Sequence, residues 1–294
     1  MNSQNGRTAV LGSSTIETSL FLPEGHGYSP DVTSPMQGEV VTVGGSGACN
    51  ALALQATGEQ NIDFITVGGV TDEGYDHGAQ SISRYMERKG IRVYQQPHAG
   101  TTEKVYMIIS GNPEQPKIGV KHTDLRDRFQ VTNDVRSRVT HADLVVASAF
   151  SPDVIAEVAD GYRQANTDGV FAWTLNESSA EAIAQSYNYD DTIISRAIQG
   201  GRVSVMLASR NESATIDTHN MRASVLAGVP VILETRGADG VAVSYRNGNS
   251  YTLEIPTKPA RKVNDNGAGE ACHANFFACT DECQAQRTYQ GAWR

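Results

Sequence analysis

The sequence predicts an α/β protein with a mostly parallel central sheet, helices on both of its faces, and a small β-sheet lid. From about residue 131, short apolar strands alternate with helical segments, which is typical of a parallel sheet covered on both sides. Two earlier β-rich segments, roughly 14–46 and 92–122, can pair as a small sheet over the mouth of the main one. No linker or internal repeat divides the chain, so we expect one domain over residues 1–294.

The first half supplies strands that end at glycines and two helices with apolar residues on one face. Glycine stops an apolar run because it favours turns, so each run is read as a buried strand. The predicted strands are 8–11, 39–43, 62–67, 91–94, 104–110 and 117–120. The predicted helices are 48–57 and 78–88.

The second half repeats strand and helix several times. The predicted strands are 144–147, 170–174, 203–207, 231–234, 241–245 and 250–255, and the predicted helices are 153–164, 180–187 and 221–227. The charged segment 122–138 is interpreted as solvated surface. Asn176, at the end of a strand, either caps the following helix or faces a nucleotide or cation.

Composition favours a cytoplasmic enzyme that acts on small molecules. The chain carries a formal charge of -9, which argues against nucleic acid or an anionic membrane surface as its main partner. It contains no apolar run long enough to span a membrane. Its four cysteines are few for 294 residues, as expected in a reducing compartment.

The segment 263–277, VNDNGAGEACHANFF, is the most informative stretch of the chain. Gly267, Ala268 and Gly269 form a turn that opens a predicted helix, and free N–H groups at such an end bind anions. Glu270 stands in the first helical turn, where a bound anion would repel its carboxylate. A base that deprotonates an attacking hydroxyl explains that placement, so the segment predicts phosphoryl transfer.

Two glycine clusters follow early strands of the sequence, where an open α/β sheet binds its ligands. In GGSGACN, Gly44 and Gly45 permit close approach of a hydroxyl-rich ligand, and Asn50 can donate and accept hydrogen bonds; a tight turn is the alternative. In VGGVTDEG, Asp72 either accepts from two sugar hydroxyls or caps the next helix.

A third cluster, TRGADG, lies between two predicted strands. Asp239 and Gly240 alone would form a type I′ hairpin turn. Thr235 and Gly237 gain a binding role only if a nucleotide crosses them.

Taken in order, these motifs resemble the ribokinase/PfkB family of sugar and nucleoside kinases. GSSTIE, residues 12–17, looks like the family's opening motif, in which an Asp contacts substrate hydroxyls. GGSGACN is similar to the first glycine-rich signature, VGGVTDEG to the next strand motif, TRGADG to the nucleotide segment, and DNGAGEA to the second signature. The resemblance covers roughly residues 9 to 283 and implies a ribokinase-like three-layer α/β/α sandwich.

The resemblance implies a role for each matching residue, with ATP and Mg²⁺ as the cofactors. Gly267, Ala268 and Gly269 would hold the charge on the transferred phosphoryl group, and Glu270 would be the base. The residues implied to hold the alcohol substrate are Glu17, Gly44, Gly45, Asn50 and Asp72. Those implied for the nucleotide are Thr235, Gly237, Gly240 and Asn264, and Glu212 is implied for the metal.

The chain departs from the family pattern at four places. Glu270 and Glu17 both stand where the family has Asp, which adds one methylene and either retunes or impairs the site. SRNES keeps Glu212 of an Asn-x-x-Glu motif but has Ser209 at the Asn position. The chain also ends 24 residues after Glu270, so the adenine pocket is expected to be open, completed by another subunit, or not built.

The leading interpretation is an ATP-dependent kinase of a sugar hydroxyl. A sugar is favoured over a nucleoside because the first signature contains no aromatic residue to stack on a base. The alternatives are a nucleoside kinase, a weakened homologue that only binds its ligand, and a structural subunit. Edge strands in the lid favour a homodimer through the lid sheet.

Overall fold

The computed structural model describes residues 6–27, 36–110, 118–122, 125–186, 192–218, 225, 228–247, 249–256, 271–272 and 274–277. Ten of its strands form one large sheet. They are β1 (Thr8–Leu11), β4 (Ile62–Thr71), β5 (Gly74–Tyr75), β6 (Arg92–Ala99), β9 (Leu144–Ser148), β10 (Val170–Thr174), β11 (Val205–Ser209), β12 (Val231–Thr235), β13 (Val241–Asn247) and β14 (Asn249–Ile255).

The large sheet is parallel through its centre and antiparallel only at its margins. Its order is β14-β13-β12-β11-β10-β9-β1-β4-β5, with β6 also paired to β4. The hairpin β4–β5 and the hairpins that join β12, β13 and β14 supply the antiparallel pairs. The register is continuous across the middle, since Val10 lies opposite both Phe64 and Val146. The predicted α/β class is therefore confirmed.

Helices cover both faces of this sheet. The helices are α1 (Ser46–Ala56), α2 (His77–Arg88), α3 (Asn133–Thr140), α4 (Pro152–Ala165), α5 (Glu177–Ser186), α6 (Ile193–Gln199) and α7 (Arg210–Thr218). Buried residues of α1 and α2 pack with Val10 and Phe64 on one face, and buried residues of α3 to α7 pack with Leu11 and Trp173 on the other. Among the described residues, none of the helices has the length and apolar character needed to cross a membrane.

Four strands form a separate sheet, which we call the lid sheet: β2 (Thr15–Phe21), β3 (Gly38–Gly44), β7 (Lys104–Ile109) and β8 (Ile118–His122), in the order β3-β2-β7-β8. The predicted lid is confirmed, but the bounds of its second segment were wrong. We assigned 92–122 to the lid, whereas β6 pairs in parallel with β4 and extends the large sheet. The chain enters the lid only at β7.

The sequence analysis missed three helices, because each is short or carries few apolar residues. α3 lies in the segment 122–138 that we interpreted as surface; Thr132 Oγ1 accepts from Val135 N at 3.3 Å, and only Val135 and Val139 are buried. α6 and α7 were not predicted. The predicted helix 221–227 lies outside the described residues except for position 225.

For Asn176, the cap interpretation is confirmed, since its Oδ1 accepts from Ser179 N at 2.8 Å.

A buried carboxylate ties together the starts of β1, β4 and β6. Asp63 is fully buried; its Oδ2 accepts from Arg7 Nε at 2.6 Å and its Oδ1 from Arg92 Nε at 2.5 Å. Arg92 also donates to Asn61 Oδ1 at 2.6 Å. Both guanidinium groups keep contact with water, so the carboxylate is the only member of the triad that is fully removed from solvent.

We expect Asp63→Asn to destabilise the fold by about 1.5–3 kcal/mol, because it removes the charge that receives hydrogen bonds from two partly hydrated guanidinium groups. Urea unfolding followed by circular dichroism measures this change. The matched control is Asp134→Asn, whose carboxylate is 71% exposed in its pair with Arg138, and which should cost less than about 1 kcal/mol. Equal effects of the two substitutions would contradict the prediction.

Candidate active site

The strand order reverses between β1 and β9, and the carboxyl ends of these two strands meet there. The chain builds β4 and β6 on one side of β1 before it crosses to β9 and continues outward to β12. Open α/β sheets bind ligands at such a point. Immediately after β9, Ala149 has a φ of 60°, a left-handed conformation that residues other than glycine rarely adopt.

The glycine-rich turn before α1 packs against the end of β1. A Cβ on Gly47 would lie 2.6 Å from Gly12 Cα, and one on Gly12 would lie 2.7 Å from Gly47 Cα. Gly45 has a φ of 89°, and a Cβ there would lie 2.7 Å from the carbonyl oxygen of Ser13. These glycines therefore allow the chain to approach itself, which supports the tight-turn interpretation of the cluster. A substrate contact at Gly44 or Gly45 stays a prediction.

Glu17 lies where the lid sheet meets the N-terminus of α1. Its Oε1 accepts from Gly45 N and from Thr15 Oγ1, each at 3.2 Å. Its side chain passes over Gly44, where a Cβ would lie 2.0 Å from the Glu17 carboxyl carbon. Its Oε2 makes no hydrogen bond with the part of the chain that the structure describes. Glu17 is thus a fixed carboxylate with one oxygen open to accept from a hydroxyl.

Asn50 lies below this junction, inside the protein. It is 2% exposed, and its Nδ2 donates to Ser148 Oγ at 3.4 Å. The amide thereby links α1 to the end of β9. The predicted contact between Asn50 and a substrate remains a prediction.

Asp72 is exposed in the two-residue turn between β4 and β5. Its alternative role as a helix cap was wrong, because Asp76 caps α2 with an Oδ1 that accepts from Ala79 N at 2.7 Å. Sequence reasoning missed Asp76, although an aspartate just before a helical pattern is a common capping signal. Contact between Asp72 and sugar hydroxyls stays a prediction.

The lid sheet contributes a further pair of charges that sequence reasoning missed. Glu103 is buried just before β7, and its Oε1 lies 2.5 Å from Lys121 Nζ. The two groups form an ion pair whose angles do not meet those of a hydrogen bond. Burial lowers the pKa of Lys121, as does the neighbouring Arg126, while Asp127 and Glu17 oppose the shift. The only signal in the sequence was a glutamate and a lysine within strand-like runs.

The loop between β12 and β13 holds the residues predicted for the nucleotide. Thr235 ends β12, and five residues separate it from β13, which excludes a two-residue type I′ turn. Arg236 N donates to Gly240 O at 2.8 Å, so the loop closes on itself. Gly237 has a φ of 58°, and a Cβ there would meet none of the described residues within 4 Å, whereas a Cβ on Gly240 would lie 2.1 Å from Ile255 O. Gly237 is the position of this loop at which a ligand can come close.

Glu212, the residue predicted for the metal, forms part of a capping box at the start of α7. Its Oε2 accepts from Ser209 N at 2.5 Å, as a glutamate three residues after an N-cap serine does. Among the residues that the structure describes, no cluster of three or more His, Cys, Asp or Glu could hold a metal ion.

The predicted catalytic segment itself, Gly267, Ala268, Gly269 and Glu270, lies outside the described residues, as does Asn264. The chain is helical at 271–272 and 274–277, so the helix predicted to follow Glu270 is confirmed there. Ala274 and Phe277 pack into the same core cluster as Val10 of β1 and Ala48 of α1. This packing sets the helix on the face of the sheet that α1 also covers.

We expect Gly47→Ala to destabilise the protein by about 1–3 kcal/mol, because the new Cβ overlaps the backbone of Gly12. Gly38→Ala in β3 is the control, since a Cβ there meets nothing within 4 Å, and it should change stability by less than about 0.5 kcal/mol. Thermal and urea unfolding of the two variants measure the difference. Similar stabilities would show that α1 can move away from β1.

Comparison with known proteins places this architecture in a family. The model of the pfkB family of carbohydrate kinases matches residues 7–288. No curated protein matches the chain. Ribokinase from Thermotoga maritima is 15% identical, with a TM-score of 0.70, 95% of this chain covered and 86% of that one.

Two further solved structures share the fold at similar distance. A carbohydrate kinase from Agrobacterium tumefaciens is 18% identical, with a TM-score of 0.71 over 95% of this chain and 85% of that one. The nucleoside kinase from Methanocaldococcus jannaschii is 14% identical, with a TM-score of 0.68 over 94% and 85%. The similarity to these solved structures shows a shared fold. The family match over residues 7–288 shows ancestry as well: the chain belongs to the pfkB family of carbohydrate kinases.

Proposed function

We propose that this protein transfers the γ-phosphoryl group of ATP to a hydroxyl of a small sugar. The observation that carries the proposal is the fixed carboxylate of Glu17 at the strand-order reversal, between the lid sheet and α1. A carboxylate held by backbone and hydroxyl donors, with one oxygen free, suits a polyol whose hydroxyls donate to it. Family membership and the order of the motifs support the reaction type.

In the proposed mechanism the chain positions the alcohol and removes its proton. Glu17 accepts from substrate hydroxyls, with Asn50 and Asp72 as further contacts. Glu270 takes the proton of the attacking hydroxyl as that oxygen forms its bond to phosphorus, and the bond from phosphorus to the departing ADP oxygen breaks. The backbone N–H groups of Gly267, Ala268 and Gly269 stabilise the charge that develops on the transferred group.

We propose that the nucleotide binds at the loop between β12 and β13 and that a magnesium ion binds with its phosphates. Gly237 leaves open space above the loop that starts at Thr235, and Gly240 fixes the loop against β14. Asn264 would complete this binding surface. Glu212 would supply one carboxylate, and Mg²⁺ commonly takes only one or two from the protein together with phosphate oxygens. The ion would supply charge neutralisation at the phosphates.

A sugar is proposed over a nucleoside because the hydrogen-bond partners of Glu17 are Thr15 and Gly45, neither of which carries an aromatic ring. Ser13, Ser14 and Thr66 are buried nearby in the chain or sheet, and Ser14 Oγ lies 3.0 Å from Thr66 Oγ1. None of these side chains can stack on a base. A nucleoside kinase of the same family is the alternative, and a nucleoside kinase is among the solved structures that share the fold.

The proposal predicts Mg²⁺-dependent release of ADP with D-ribose that exceeds release with adenosine. Glu270→Gln should lower kcat by at least about 10²-fold, because an amide cannot accept the proton. Glu17→Gln should instead raise KM for ribose, because it weakens the acceptor for the hydroxyls. A coupled ADP assay measures both constants, and thermal shift with each ligand reports binding without turnover.

The two candidate functions give different outcomes in this assay. Turnover of adenosine but not ribose would support the nucleoside kinase, and a thermal shift without turnover would support a binding protein. Glu270→Asp serves as the matched variant: a base that works as glutamate should lose on the order of 10²-fold in kcat when its carboxylate shifts by about 1 Å. A gain in kcat would show instead that glutamate impairs the site.

We further propose a homodimer that forms through the lid sheet. Val41, Tyr106 and Val120 are in register across β3, β7 and β8 through Thr18, and they are 60%, 48% and 65% exposed. An apolar row of this kind on an outer face is typical of an interface.

The dimer predicts that sedimentation gives twice the monomer mass and that Val120→Asp halves it, because the new charge would be buried in the interface. Leu253→Asp is the control, since Leu253 is 57% exposed on β14 of the large sheet and should leave the mass unchanged. A parent protein that sediments as a monomer at micromolar concentration would exclude the lid dimer.

A further inference from the structure

We infer that Asp76 is a positioning residue for the lid, which rests on the proposed function of the site beneath it. Asp76 touches neither Glu17 nor the predicted substrate contacts. Its carboxylate instead binds the segment 100–103, through which the chain passes from β6 of the large sheet into β7 of the lid sheet. We call this segment the lid hinge.

Both carboxylate oxygens of Asp76 are used at the hinge. Oδ2 accepts from Thr102 N at 2.7 Å, and Oδ1 accepts from Thr102 Oγ1 at 2.6 Å and from Ala79 N at 2.7 Å. An N-cap needs only the last of these bonds. The other two go to a single residue that lies 26 positions further along the chain, so they hold the hinge rather than the helix.

The hinge is also packed against the end of β4. Thr102 Oγ1 accepts from Gly69 N at 3.0 Å, and Thr102 is almost completely buried. A Cβ on Gly69 would lie 2.5 Å from both Gly100 O and Thr102 N. Asp76 N in turn donates to Gly69 O at 2.8 Å and closes the hairpin that carries Asp72. Asp76 therefore fixes the hinge and this hairpin at the same point.

A short series of contacts leads from the hinge to the candidate substrate carboxylate. Glu103 follows Thr102, and its carbonyl oxygen accepts from Ile16 N at 3.0 Å, which fixes the start of β2 against β7. The next residue of β2 is Glu17, whose Oε1 accepts from Gly45 N. The Lys121 ammonium pairs with the Glu103 carboxylate at the same end of the lid sheet. Displacement of Thr102 would therefore change where the lid holds Glu17.

Asp76→Asn separates the two roles of the side chain. Its amide oxygen can replace Oδ1 and keep the bonds to Ala79 N and Thr102 Oγ1, so the helix cap is retained. The amide NH₂ then takes the position of Oδ2 and faces Thr102 N–H, donor against donor. Thr102→Val is the second variant: it removes the hydroxyl that bridges Asp76 and Gly69 but leaves the carboxylate in place.

The experiment combines hydrogen–deuterium exchange with steady-state kinetics on the full-length protein, with D-ribose and Mg·ATP as probes. We expect Asp76→Asn and Thr102→Val to speed exchange in 101–109 by about tenfold or more, since a hydrogen bond to a charged group contributes on that order. Exchange in β9 should not change. The kcat/KM for ribose should fall by a similar factor while KM for ATP is unchanged, because the Thr235–Gly240 loop lies toward the other end of the sheet.

Thr192→Ala is the matched control, because Thr192 Oγ1 caps α6 by accepting from Ser195 N at 3.0 Å and makes no hydrogen bond to the described residues of the lid sheet. It should lower the melting temperature without altering exchange in 101–109 or the ribose constants. Exchange of 101–109 that stays at the parent rate in both Asp76→Asn and Thr102→Val would overturn the inference. A parent without activity on ribose or adenosine would count against the proposed function alone, and the exchange measurement would still decide the role of Asp76.

Discussion

The backbone contact between Gly12 and Gly47 is the constraint on which the candidate site depends. Because neither residue has a side chain, the end of β1 and the first turn of α1 lie closer together than any Cβ would allow. That contact fixes the N-terminus of α1 at the point where the strand order reverses, and it brings Gly45 N within reach of the Glu17 carboxylate. Asn50, one turn further along α1, then reaches Ser148 at the end of β9.

The charges of the site follow from this placement. The first N–H groups of a helix lack an intrahelical partner, and Glu17 accepts from Gly45 N at the start of α1. The lid sheet adds a second acid, Glu103, and the positive charge of Lys121 balances the charge of its carboxylate.

The fold was largely readable from the sequence, because buried strands are continuous apolar runs; β1 was predicted at its observed bounds. The errors have physical causes. β6 was assigned to the lid because alternation along a strand does not reveal which sheet it joins. α3 was missed because two buried valines suffice to anchor it beneath a charged surface. The cap of α2 was also assigned to the wrong residue: Asp76 rather than Asp72 directly precedes the helix, and its position in the sequence already favoured it.

The candidate site was less predictable, because glycine is ambiguous in a sequence: it admits a ligand or the chain's own atoms equally well. At Gly44 the side chain of Glu17 fills the space where a Cβ would stand. This contact also bears on the extra methylene of Glu17 relative to the family's aspartate. A glutamate side chain that makes no contacts keeps its rotamer entropy. Glu17 instead lies folded across Gly44 and is held by Thr15 Oγ1 and Gly45 N, so its longer side chain is accommodated by ordered contacts. Any Cβ at position 44 would overlap the Glu17 carboxyl group, so the glutamate depends on the glycine beside it.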